Sequence, residues 1–409
     1  MVCPEIIKCQ FKDEIFYVDR TNGDHPVSSE RTAPVSQRSL CVDEDDQEVC
    51  LFVFVTERCN LSCPFCFERQ GVGCQYDSSP RYSIDELVAF IRIINIKKAI
   101  LWFFGGEPLL NYSWIVSCIN RLKDEDIDCS YNIATNLTKL NSYMIEHSRM
   151  WGMRYIVNLD ASLKMSGGQK YGETVKTNLT LLRENELEAL GMSVWSPNCK
   201  VSIPSIMETY VPYDLRYFDL NIAHCFRYTG EDIRAFTYEL EGFADWYILN
   251  ILSHDLRFLW IQPFSKYIRS LLFPEEPLHI SACGSGKQLV AIATDGNLYP
   301  CQTLVGHKEC ACGSVQSRIW VRRYEKINDN IIPTCSKCDL KYSCKARCLA
   351  NNIIMEKDVL FPEKSRCVLE HKIFACSAYI VRQLQKYPLE LAVLRKAFKV
   401  GHGEIKSAH

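Results

Sequence analysis

The chain is predicted to be an α/β protein: a partial (β/α)6 barrel of the TIM type followed by a cysteine-rich domain. Three observations predict this. Short apolar runs typical of buried strands alternate with helical periodicity from about residue 50 to about residue 255. The polar and cysteine motifs of that stretch fall just after its strands, where such barrels carry their chemistry. From Cys283 onward the periodicity fades and thiols return in tight groups.

Residues 1–48 read as an N-terminal hairpin and linker. Segments 6–11 and 15–18 flank the polar Lys12-Asp13-Glu14, and the stretch 19–38 is polar and aperiodic. The hairpin either extends a sheet edge or forms a separate binding module.

The barrel, 49–260, opens on the apolar run 51–55, which fits a strand covered on both faces. Ser83-Ile84-Asp85-Glu86 is a capping box, and Ile84, Leu87, Val88, Ile91 and Ile94 then keep helical spacing. Residues 99–104 form the second strand, turned by Gly105-Gly106-Glu107-Pro108. Helix 114–123, strand 130–134 ending at Thr135-Asn136, helix 141–150 and strand 154–160 follow. Helix 174–186, strand 200–203, strand 217–222 and the amphipathic helix 231–252 complete the barrel.

In the cysteine-rich domain, 275–375, Cys283 and Asp295-Gly296-Asn297-Leu298-Tyr299-Pro300-Cys301 read as a strand–turn–strand with a thiol at each end. The helical tail is assigned to 376–409, within a helical pattern running 374–400 and broken at Pro388.

Composition narrows the function. A net charge of -2 gives no case for nucleic acid as a partner. No apolar run approaches the roughly 20 residues that span a bilayer, and the start has no signal-peptide pattern, so a cytoplasmic location is expected. Cysteine is the outlier, with 22 residues. Inert buried thiols account for scattered ones such as Cys118 and Cys199. Metal or cluster binding accounts better for the groups at 59–66 and 335–348.

Cys59, Cys63 and Cys66 stand at C-x3-C-x2-C, with Phe65 before the last thiol. Iron–sulfur cubes take four thiolates, so three on one loop leave an iron for another ligand. A zinc loop is the competing reading, but zinc knuckles use C-x2-C with a distant partner pair. Gly105 and Gly106 permit close backbone approach. Glu107 and the turn carbonyls suit a protonated amine, and Pro108 fixes the turn.

Together these motifs resemble the radical S-adenosylmethionine (radical SAM) superfamily. The later thiols resemble its SPASM extension: twelve residues separate Cys283 from Gly296, four separate Gly296 from Cys301, and Cys335-x2-Cys338-x5-Cys344-x3-Cys348 is followed by Cys367. The resemblance covers about residues 50 to 375. It implies three [4Fe–4S] clusters and S-adenosylmethionine bound at the open iron of the Cys59, Cys63 and Cys66 cluster, there split to a 5′-deoxyadenosyl radical. It also implies that Phe65 packs by the adenine and that Asn136 contacts the ribose. Asp160 is a substrate-side or cofactor-side polar group, or a strand-end cap. Relatives often hold the cofactor carboxylate with a basic residue beyond that strand; loop 161–172 offers only Lys164 and Lys170, which lack the bidentate fork of Arg.

By the family's crossed connectivity, Cys335, Cys338, Cys344 and Cys367 hold one auxiliary cluster. Cys283, Cys301 and Cys348 hold a second that is one ligand short. Relatives fill that place a few residues after the first cysteine; this chain has Gly284-Ser285-Gly286-Lys287-Gln288-Leu289, so the cluster is open or closed by Cys310 or Cys312.

The resemblance implies a peptide maturase acting on a ribosomally made precursor peptide and installing a carbon–carbon or thioether cross-link. Formylglycine formation in sulfatases is the alternative, beside peptide epimerisation; those sulfatase enzymes generally carry Asp after the Cys301-type thiol, where this chain has Gln302. Its non-enzyme rival is a multi-cluster electron-transfer protein. Expected partners are a reductant such as flavodoxin or ferredoxin and a separate leader-peptide-binding protein.

Overall fold

The computed structural model describes residues 6–20, 27–28, 40–41, 48–70, 79–94, 96–162, 171–197, 202–215, 217–274, 278–279, 283–325, 332–341, 344 and 348–400. Strands β1 (Ile6–Phe11) and β2 (Glu14–Asp19) form the expected hairpin, joined by β3 (Val27–Ser28) into a small antiparallel sheet. The rest of the linker 19–38, beyond residues 19–20 and 27–28, lies outside the described residues. The hairpin neither extends the main sheet nor stands apart. It packs on the C-terminal helix Lys364–Leu384, with the Phe11 and Tyr379 rings 5.2 Å apart and Arg382 paired with Glu14. A two-residue strand, β4 (Leu40–Cys41), pairs elsewhere with β12 (Leu278–His279).

The barrel strands are β5 (Glu48–Thr56), β6 (Lys98–Gly105), β7 (Cys129–Thr135), β8 (Arg154–Asn158), β9 (Ala189–Trp195) and β10 (Tyr217–Ile222), with a short β11 (Trp260–Gln262). All are parallel and lie side by side in chain order. Helices connect them as right-handed crossovers require. Local signals set the helix ends: Ser83 closes a capping box on Ile84–Ile93, Asn141 caps Ser142–Trp151, and Thr229 closes a second box on Gly230–Leu252.

One strand is a correction. The fifth strand is Ala189–Trp195, not the 200–203 that the sequence predicts. Gly191 and Ser193 weaken its strand signal, yet the fold needs both. A Cβ on Gly191 would stand 2.9 Å from Leu159 and from Phe218, and Ser193 binds Asp160. Ser202 instead caps a helix, Ile203–Tyr210, with Pro204 in its first turn.

The cysteine-rich region joins the same sheet. Strand β13 (Leu289–Ile292) pairs parallel with β5, and β14 (Leu298–Tyr299) pairs antiparallel with β13 through the Asp295-Gly296 turn. Side chains alternate across β5: Val49, Leu51, Val53 and Val55 enter the large core under the helices. Phe52 and Phe54 point the other way, into a second core with Ala291, Ala293, Tyr299, Cys301 and Leu304. The helix Lys364–Leu384 runs without interruption across the boundary expected at 375, and Pro388 opens the last helix, Pro388–Val400. Among the described residues, no helix is long and apolar enough to cross a membrane.

Candidate active site at the carboxyl ends of the barrel strands

Where β5 ends, the chain turns directly into the thiol loop. Arg58 N donates to Thr56 Oγ1 at 3.2 Å, so the strand's last hydroxyl sets the direction of departure. Inside the loop, Leu61 N donates to Cys59 Sγ at 3.4 Å and Cys66 N to Cys63 O at 3.2 Å. The three thiols are half-buried, and Phe65 is buried.

The turn after β6 lies flat against this loop. Gly106 N donates to Thr56 O at 2.9 Å and Glu107 N to Arg58 O at 2.8 Å. Only glycine permits that contact: a Cβ on Gly105 would stand 2.0 Å from Thr56 O, and one on Gly106 2.3 Å from Arg58 O. The close approach these glycines allow is therefore made by the chain's own segment 56–58. Pro108 then starts a short 3-10 turn, capped by Glu107 Oε1 accepting from Leu109 N at 3.1 Å.

Glu107 is 1% exposed. Its Oε1 also accepts from Thr135 Oγ1 at 2.6 Å, and its Oε2 accepts from Asn136 N at 2.8 Å. Burial pushes this carboxyl up to about 7 against those hydrogen bonds. The side chain read as a partner for a protonated amine here joins the ends of β6 and β7.

Asn136 passes the connection back to the thiol loop. Its Nδ2 donates to Asn60 Oδ1 at 3.1 Å and stands 4.0 Å from Cys59 Sγ, while its Oδ1 accepts from Thr138 Oγ1 at 2.7 Å. Asn60 Nδ2 donates to Thr138 Oγ1 at 2.8 Å. Asn60 and Thr138 carry no motif signal of their own in the sequence, although each lies within two residues of a motif residue.

Asp160 sits one strand further on, 2% exposed. Its Oδ1 accepts from Ser193 Oγ at 2.5 Å and its Oδ2 from Val194 N at 2.8 Å, so both oxygens engage β9. Burial raises it to about 7. Lys164 and Lys170 lie outside the described residues.

The donor set at 59–66 fits an iron–sulfur cube: three sulfurs on one loop, one already accepting a backbone N–H, which favours the thiolate. Among the described residues, no three His, Cys, Asp or Glu side chains converge as they would on one mononuclear ion. A cube binds differently, one thiolate to each iron, so its ligands stand apart.

The later thiols fall into two neighbourhoods. Cys367 is raised to about 11 by burial and by the Cys335 and Cys338 thiols, and His371 Nε2 lies 3.5 Å from Cys338 Sγ. Cys344 is within electrostatic reach of Tyr267, whose hydroxyl bonds Glu370. In the second neighbourhood, burial raises Cys301, with Cys348 and Cys283 adding to the effect. Burial would raise Cys348 as well, but the His224 imidazole, its Nδ1 3.9 Å from the sulfur, brings it down to about 7. Cys310 and Cys312 are buried beside each other and beside Tyr299 and Tyr324. Cys118 is fully buried in the large core, and Cys199 lies outside the described residues.

A parallel barrel with a three-thiol loop after its first strand and a glycine turn after its second defines the class. Residues 53–193 match the family model described as the radical SAM superfamily, and this part of the chain is a radical SAM domain. The fold is shared with solved structures of low sequence identity. Native anSMEcpe, solved with bound AdoMet and Cp18Cys peptide, superposes with a TM-score of 0.65 at 15% identity, covering 86% of this chain and 99% of that one. SuiB of Streptococcus suis, bound to precursor peptide SuiA, gives 0.55 at 13% identity, covering 90% and 99%. In sequence, the radical SAM cyclopropyl synthase TigE of Paramaledivibacter caminithermalis is 23% identical over 184 residues, or 40% of this chain. An uncharacterised protein of Methanocaldococcus jannaschii is 30% identical over 113 residues, or 27% of this chain. These alignments span 39% and 38% of the two relatives' lengths.

Proposed function

We propose that the chain is a radical SAM peptide maturase that abstracts a hydrogen from a ribosomally synthesised precursor peptide and installs a carbon–carbon or thioether cross-link. One observation carries this reading. The thiol loop, the 105–108 turn and Asn136 form one hydrogen-bonded shelf at the mouth of a barrel whose fold is that of proteins solved with bound peptides. When bound, a [4Fe–4S] cluster on Cys59, Cys63 and Cys66 and S-adenosylmethionine would supply a 5′-deoxyadenosyl radical at this shelf. Two auxiliary clusters, on the later thiols, complete the proposed cofactor set.

The chain's own part is to place and exclude. A peptide offers many similar C–H bonds, so selectivity rests on holding one side chain near the radical. The inner face of the sheet presents rings and amides for that task. Phe52 stacks on Trp102 at 5.1 Å, and Phe67, from the short helix after the thiol loop, stacks on Phe104 at 6.4 Å. Asn132 Nδ2 is buried without a hydrogen-bond partner among the described residues, a donor left for a ligand.

Formylglycine formation is the weaker reading because of Gln302. An amide cannot accept a substrate proton as a carboxylate does. Its buried Oε1, without a hydrogen-bond partner among the described residues, suits an N–H donor instead.

The test is anaerobic reconstitution with dithionite and S-adenosylmethionine, then co-expression with a small open reading frame beside the gene. The expected results are 5′-deoxyadenosine and a peptide lighter by a hydrogen pair. Unchanged mass with altered chirality would make the chain an epimerase. No 5′-deoxyadenosine from a fully loaded chain would leave the electron-transfer reading. A flavodoxin or ferredoxin is the proposed physiological reductant, and leader recognition is assigned to a separate protein.

A further inference from the structure

In the second auxiliary neighbourhood, segment 284–289 offers no cysteine as a fourth ligand. The turn 284–289 folds on Gly284 O, which accepts from the backbone of Lys287, Gln288 and Leu289, and the Ser285 hydroxyl donates to Pro300 O at 3.1 Å. Cys310 and Cys312 are both buried, Cys310 in the second core and Cys312 in the large core.

A different thiol reaches this neighbourhood from the barrel. Beyond the carboxyl end of β10, segment 222–228 is tied at five points to the cysteine-rich domain and the helix that follows it. Arg366 Nη1 donates to Ile222 O at 3.0 Å, and Arg227 Nη2 to Met355 O at 3.0 Å. Tyr228 N donates to Ser365 Oγ at 3.0 Å, and His224 Nδ1 lies 3.9 Å from Cys348 Sγ. Buried Asn351 makes the central link: its N–H donates to Cys348 Sγ at 3.5 Å, and its Oδ1 accepts from Cys225 N at 3.3 Å. Cys225 is thus clamped one residue away from the ligand it would join, and it holds a left-handed φ of +65°, uncommon for a side chain of its type.

We propose that Cys225 is the fourth ligand of the auxiliary cluster on Cys283, Cys301 and Cys348, and that His224 hydrogen-bonds the Cys348 sulfur. The cube is then closed by a thiolate from the barrel itself, so it bridges the two parts of the chain and binds no substrate. This rests on the auxiliary-cluster part of the proposed function.

The experiment uses the chain with Cys59, Cys63 and Cys66 replaced by Ala, which isolates the auxiliary clusters. Reconstituted with iron and sulfide, it should hold two cubes that survive mild ferricyanide as [4Fe–4S] clusters by Mössbauer and EPR spectroscopy. Adding Cys225→Ala should open one iron, and the same treatment should convert one cube of the two to a [3Fe–4S] cluster. Cys225→Ser separates ligation from folding; it should keep the iron and shift the EPR spectrum of the reduced cluster. His224→Ala should leave the cube closed. Equal conversion with and without Cys225, at full iron content, overturns the assignment and leaves the auxiliary clusters standing. Conversion in His224→Ala alone gives the ligand to the imidazole instead. Failure of the parent variant to bind cubes at all overturns the cluster reading and this inference with it.

Discussion

Thr135 donates its hydroxyl to Glu107 Oε1 at 2.6 Å, so a buried carboxylate from the end of β6 holds the end of β7. The same carboxylate binds Asn136 N, which places Asn136 against the thiol loop. Burial raises this group from 4.5 to about 7. Between those two values the folded chain keeps a proton that the unfolded chain has released, so the stability from this group is full below 4.5 and is lost as the pH rises through 7. Glu107→Gln removes the titration. The stability advantage of the native chain over the variant should shrink by about 2 kcal/mol from about pH 5.5 to about pH 7.5, measured by anaerobic urea unfolding. An advantage that grows with pH would reverse the assignment.

The glycine turn makes a sharper claim because its geometry leaves no room. Gly106→Ala drives a Cβ to 2.3 Å from Arg58 O, a backbone atom that cannot swing aside. The cost should be about 2–4 kcal/mol of stability. Formation of 5′-deoxyadenosine should fall about 100-fold, since a small misplacement of a reacting centre is that expensive. Gly152→Ala is the control: it has φ +61° but nothing within 4 Å of the added carbon. It should lose only about 1–2 kcal/mol, the cost of a left-handed alanine, and keep full cofactor cleavage. A Gly106→Ala variant as stable and as active as Gly152→Ala would show that segment 56–58 gives way and that this contact does not set the requirement.

Much of the site was legible because its chemistry is local in sequence. The thiol loop, the glycine turn and Asn136 each follow a strand whose apolar pattern is plain, and the rule that chemistry sits at strand ends places them together. Strand β9 escaped for the opposite reason. Gly191 and Ser193 look wrong for a strand until Leu159, Phe218 and Asp160 are seen beside them. His224 and Cys225 obey the strand-end rule as well, but a single thiol has no spacing to mark it, and its neighbour Cys348 is far along the chain. The pairing of β13 with β5 and the docking of the hairpin on Lys364–Leu384 are long-range contacts that no local pattern encodes.

That docking is expected to make the N-terminal hairpin part of the main cooperative unit. Phe16 is fully buried, and Arg382 lies over its ring at 5.4 Å while pairing with Glu14. Phe16→Ala should lower the stability of the whole chain by about 3–5 kcal/mol, the usual cost of deleting a buried ring. The change should appear in the main urea transition and leave iron content at saturating reconstitution unaltered. A separate early transition, with the main one unmoved, would mark the hairpin as an independent module.

Asp160 poses the choice between a strand-end tie and a cofactor contact. Both of its oxygens accept from β9, at Ser193 and Val194, and burial rather than a nearby charge governs its titration. Asp160→Ala strands the buried Ser193 hydroxyl and the half-buried Val194 N–H and should cost about 2–4 kcal/mol. Asp160→Asn keeps one acceptor and should cost about 1 kcal/mol. Because the tie acts through the strand ends, S-adenosylmethionine affinity should follow stability across the pair, falling further in Ala than in Asn. The measurement is equilibrium binding of the cofactor to each reconstituted variant, beside its urea midpoint. A steep loss of affinity in Asp160→Asn at nearly native stability would instead put this carboxylate on the cofactor.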